Sequence, residues 1–67
     1  MIRSDQADNE YVFEELLKVA RSEDFKAFTN EEKEFTLQCL KNKRYYLEVL
    51  YPESYVLEID VSDLLPG

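Results

Sequence analysis

The chain has no histidine and no tryptophan, a single cysteine, and a single glycine that is also the last residue, Gly67. Each shortage removes a class of chemistry. Without histidine, no side chain has an ordinary pKa near neutrality, so the usual general acid–base catalysis is excluded. Cys/His zinc sites go with it. Cys39 alone cannot close an internal disulfide, and a lone thiol fits a reducing, cytoplasmic compartment. It has no histidine to activate it and falls on the apolar stripe of an expected helix, where it reads as a small buried hydrophobe rather than a nucleophile. A terminal glycine builds no glycine-rich phosphate loop. Carboxylate pairs such as Glu14/Glu15, Glu31/Glu32 and Asp60/Asp63 lack the Asp-x-Asp-x-Asp-Gly frame of a calcium loop. The expectation is a protein that is no enzyme and carries neither cofactor nor metal.

Long apolar runs are also missing. None approaches the roughly 20 residues that cross a bilayer. The opening "MIRSDQADNE" lacks the apolar segment of a secretory signal. Its methionine start is the expectation for a complete short reading frame.

What is present is acid. Fifteen acidic residues stand against eight basic ones, a net charge of −7. Direct binding to nucleic-acid phosphate or to an anionic membrane surface is disfavoured, because both need lysine and arginine. A basic protein partner is favoured, including one that itself binds nucleic acid. A protein that imitates the charge of DNA is the extreme form. The plainer account is that the charge keeps a small protein soluble.

At 67 residues the chain is one domain, and domains of this size are marginal alone. With disulfide and zinc excluded, a partner or a second copy is the remaining support. The 45% hydrophobic content is enough for a core.

Along the chain, residues 1–7 are polar and expected to fray. Asp8 or Asn9 can cap a first helix, with Val12, Phe13, Leu16, Leu17, Val19 and Ala20 as a wide apolar stripe. "SEDFKAF" reads as a short helical turn that sends Phe25 and Phe28 into the core. Thr29 and Glu32 match a capping box, so a second helix starts at Asn30 and carries Phe35, Leu37, Cys39 and Leu40. Asn42 can end it.

The stretch "RYYLEVLYPESYVLEIDV" admits two readings. As a β-hairpin turning at Pro52-Glu53-Ser54, it places Tyr45, Leu47, Val49 and Tyr51 opposite Val61, Ile59, Leu57 and Tyr55 on one surface. As a helix continuing to about residue 50, it aligns Cys39, Leu40, Tyr46, Leu47 and Leu50, and leaves 55–61 as a lone strand. The hairpin explains both halves with one register and is preferred, although it sets Glu48 against Glu58 and has no glycine at its turn. "SDLLPG" makes a last turn that tucks Leu64 and Leu65 under the core. The expected fold is therefore α+β: two helices joined by a helical turn, then a C-terminal hairpin. The alternative is mostly α.

On the hairpin's outer face lie Tyr46, Leu50 and Val56 among Glu48, Glu58 and Asp60. An exposed apolar centre in an acidic rim is the candidate surface for a protein partner. Open hairpin edges offer a second route, pairing into a homodimer or an accessory subunit of a larger assembly. Helices followed by a hairpin resemble the element order of winged-helix DNA-binding domains. The helix in the recognition position carries Glu31, Glu32 and Glu34, which opposes that function.

Overall fold

The computed structural model describes residues 4–65. It is a helical hairpin crossed by a C-terminal strap. Helix α1 spans Asp5–Ala20, a 3-10 turn spans Glu23–Ala27, helix α2 spans Asn30–Leu50, and a second 3-10 turn spans Tyr55–Glu58. There is no strand among the described residues, so the expected β-hairpin is absent and the fold is mostly helical.

The reason lies in α2. Leu40 and Leu47 are seven residues apart, share one face and are fully buried. No glycine or proline interrupts the residues between them. Asn42 does not end the helix. It stays in the helix interior, where its side chain accepts from Gln38 Nε2 at 2.9 Å. Asparagine costs a helix only some tenths of a kcal/mol, roughly 0.7 at most. The stop comes from Pro52. A residue before proline is pushed out of the helical region, and Tyr51, the C-cap, has φ −136° and ψ 66°. Residues 55–61 form no lone strand either: Leu57 N bonds Ser54 O at 3.2 Å and Ile59 N bonds Val56 O at 3.2 Å, within and at the end of the second 3-10 turn.

The α2 start is as expected. The Thr29 hydroxyl accepts from Glu32 N at 3.1 Å, and the Glu32 carboxylate accepts from Thr29 N at 2.8 Å. Helix α1 begins earlier than the expected cap. Ser4 is the N-cap and accepts from Ala7 N at 3.4 Å, with Asp5 and Asp8 in the favourable first turn. Asn9 lies inside the helix and is buried, its amide spanning from Asp5 O at 2.7 Å to Lys43 Nζ at 2.6 Å.

The core is narrower than the sequence stripe. Helix α1 buries Phe13, Leu17 and Ala20, and leaves Val12 and Val19 on the surface. Phe25 and Phe28 pack on each other, ring centroids 5.3 Å apart, but no residue of their turn is buried. Phe35, carried by α2, is exposed. Leu37 and Cys39 are half-buried.

The strap closes the core. After a turn at Pro52-Glu53 it runs along α1, inserting Val56 and Val61 between the helices. Leu57, Ile59, Leu64 and Leu65 pack against the same cluster, so the last two leucines tuck in as expected. Phe13, Leu40, Leu47 and Val56 are each fully buried, contributing about 1.5–3 kcal/mol apiece.

Candidate interaction surface

Hydroxyls and carboxylates stitch the strap and the end of α2 to one side of α1. Tyr46 Oη donates to Asp5 at 3.0 Å, and Tyr51 Oη donates to the same carboxylate oxygen. One turn along, Ser54 Oγ donates to Glu10 at 2.6 Å, and Tyr55 Oη donates to Glu14 at 2.8 Å. Arg21, just past α1, holds the strap's far end through Asp60 O at 2.7 Å and Asp63 Oδ1 at 3.0 Å. Three of the four tyrosines of the 44–61 stretch thus spend their hydroxyls inside the molecule. Their titration follows. The Asp5 carboxylate pushes Tyr51 up to about 12 and raises Tyr46. Glu14 raises Tyr55 in the same way. The Tyr51 and Tyr46 hydroxyls in turn hold Asp5 below its ordinary value.

The strap and α2 leave an open cleft of about 680 Å³ between them. Glu48 lines it from α2; Glu58 and Asp60 line it from the strap. Leu57, Val61 and Leu65 supply its apolar lining, and Lys41, Arg44 and Tyr45 border it from α2. Arg44 Nη2 reaches Leu57 O at 3.5 Å, while its Nε is buried without a hydrogen-bond partner. Asp60 is held below its ordinary pKa, chiefly because Ser62 N donates to it at 2.9 Å, then by the Ser62 hydroxyl, and least by the charge of Arg21.

The six residues expected to form one surface are therefore divided. Glu48, Glu58 and Asp60 converge on the cleft, though by a strap crossing a helix and not by facing strands. Tyr46 and Leu50 border a separate shallow depression on α2, with Lys41, Asn42, Tyr45 and Val49. The Tyr46 ring also stands 5.1 Å from Lys43 Nζ, a cation–π distance. Val56 is 0% exposed and belongs to the core, so it cannot meet a partner.

The hairpin reading also hid two surface residues by turning them inward. Tyr45 is 68% exposed and Val49 58%. The signal was present: once Leu40 and Leu47 define the inner face of a helix, Tyr45 and Val49 fall on the opposite one.

No family model matches the chain, and neither a curated protein nor a solved structure matches it. Among the described residues, no group of three or more His, Cys, Asp or Glu side chains is placed to hold a metal ion. No helix among them is long and apolar enough to cross a membrane.

Proposed function

We propose that the protein is a small acidic binding module of the cytoplasm that regulates or inhibits another protein by docking it at the cleft between α2 and the strap. The supporting observation is the convergence there of Glu48, Glu58 and Asp60, separated in sequence, around an apolar floor. A partner segment that fits carries lysine or arginine flanking an apolar side chain. Its cations meet the acidic rim and its apolar group meets Leu57, Val61 and Leu65. Lys41 and Arg44 at the α2 side make the cleft unsuitable for a uniformly basic ligand, which favours a segment of mixed sequence. With no histidine in the chain, the reading assigns it no catalysis.

The test is binding of an array of short peptides, scored against a Glu58→Lys/Asp60→Lys variant. Expected hits combine basic and apolar residues, lose affinity in the variant, and weaken as salt rises. Hits that bind the variant equally, or that ignore salt, would overturn the reading. The homodimer expected from open sheet edges has no edges to use among the described residues.

A further inference from the structure

The outer face of α2 is a second surface, distinct from the cleft floor. Opposite buried Leu40 and Leu47 lie Phe35, Gln38, Asn42, Tyr45 and Val49. Their spacing alternates three and four residues, the seam of a coiled coil. Phe35 is 71% exposed, and the only side-chain bond within the seam is the one from Gln38 to Asn42. A helix already packed on one side and patterned for packing on the other lacks a neighbour.

Charge identifies the neighbour. Glu34, Lys41 and Glu48 repeat every seven residues along one flank of the seam. None of the three is ion-paired within the described residues. In an antiparallel pair of identical helices, this flank meets itself. Setting Tyr45 level with Asn42 of a second copy brings Lys41 beside Glu48 of the second copy, and the two-fold axis repeats the pair. Shifting by one heptad toward the N-terminus instead sets Glu34 against Glu48 and Lys41 against Lys41. A shift the other way sets Glu48 against Glu48. A parallel pair places no opposite charges together and gathers the acidic starts of both α2 helices. An antiparallel shift of two heptads toward the N-terminus sets Glu34 against Lys41 over an overlap of equal length, but it draws Glu31 into the seam and leaves Tyr45 and Val49 uncovered. Only one register both pairs opposite charges and covers Tyr45 and Val49.

We propose that α2 pairs with α2 of a second copy, antiparallel and centred between Lys43 and Arg44, with two Lys41–Glu48 ion pairs across the seam. The overlap runs over residues 37–50, about 14 residues or about 21 Å of helix, and leaves Phe35 outside it. That is a small interface, so dissociation in the micromolar range is expected. The pairing shares Lys41, Tyr45 and Glu48 with the border of the cleft, but it rests on the spacing and charges of α2 and stands without the cleft reading.

Analytical ultracentrifugation over a dilution series tests it, using wild type, Lys41→Glu, Glu48→Lys, the double variant and a one-to-one mixture of the two single variants. All substitutions are on the exposed surface, and circular dichroism checks that each variant is folded. Wild type should dimerise. Each single variant alone should dissociate about tenfold more readily, because it replaces both attractions with repulsions. The double variant and the mixture should both recover, since each re-creates opposite charges at both pairs. Glu58→Lys, off the seam, should leave dimerisation unchanged within about twofold. A wild-type monomer at every concentration overturns the dimer. A dimer whose single variants behave like wild type, or whose mixture fails to recover, overturns the register.

Discussion

The Tyr51 hydroxyl donates to the Asp5 carboxylate across 46 residues of sequence, tying the end of α2 to the start of α1. Tyr46 shares the acceptor. Two signs follow. Asp5 titrates below its ordinary value of 3.8 in the folded chain, so its contribution is present above about pH 4 and is lost as pH falls through the lower folded pKa. Tyr51 is raised from 10.0 to about 12, so its contribution is whole below pH 10 and is lost as pH rises through about 12. Asp5→Asn should lower the melting temperature slightly at neutral pH and flatten both limbs. Thermal melts of the two proteins from pH 2 to 12 check this. An unchanged alkaline limb would show that the clasp does not hold in solution.

Val56 separates a strap from a hairpin. In a hairpin it lies on the outer surface, and Val56→Asp is mild. In the structure it is fully buried between two helices, and a carboxylate there has no partner. Val56→Asp should leave the chain unfolded. Leu47→Ala should cost about 3 kcal/mol, a large part of the roughly 3–10 kcal/mol expected of a domain this size. Urea titration measures both. A folded Val56→Asp protein with near wild-type midpoint would contradict the packing.

What could be seen in the sequence was local. Thr29 and Glu32 announce the start of α2 because a capping box is satisfied within one turn of chain. The last turn at Leu64 and Leu65 and the 3-10 turn at Glu23–Ala27 were legible for the same reason. The fate of residues 44–51 was not. Tyr45, Leu47, Val49 and Tyr51 alternate as a strand would, yet Leu40 and Leu47 also keep helical phase. Local pattern does not choose between them. The choice is made by distant groups: Phe13 and Leu17 on α1, which pack with Leu47, and Asp5, which takes the hydroxyls of Tyr46 and Tyr51. The same distance effect hid the candidate surface. The sequence makes Glu48, Glu58 and Asp60 neighbours through a strand register that the described residues do not adopt, and the strap brings them together by another path. Val56, which shared their supposed face, is buried by that path instead.

The capping box offers a clean local measurement. Thr29 is exposed and packs on nothing in the core, so its effect is the cap alone. Thr29→Ala should cost about 1 kcal/mol. Thr29→Ala and Glu32→Ala together should cost less than the sum of their separate effects, because each hydrogen bond of the box orients the other. A double-mutant cycle by urea unfolding reads this. Additive losses would mean the two bonds act independently.

Among the described residues, Arg21 is the one cation that fastens the strap from the α1 side, holding both the Asp60 carbonyl and the Asp63 carboxylate. It sits beyond the last turn of α1 and is exposed, so its removal leaves the helix–helix contact intact. Arg21→Ala should therefore release the strap's end before it affects the helices. Backbone amides of Leu64 and Leu65, which bond to Val61 O, should exchange with solvent at least about tenfold faster, while amides in the middle of α2 change little. The strap is also the wall of the cleft that carries Glu58 and Asp60. A ligand of that cleft must then order the wall on binding, so Arg21→Ala should weaken peptide affinity although Arg21 does not line the cleft. Hydrogen exchange with and without peptide distinguishes the cases. Protection of Leu64 and Leu65 restored by peptide ties binding to the strap. Faster exchange with undiminished affinity would place the peptide elsewhere on the molecule.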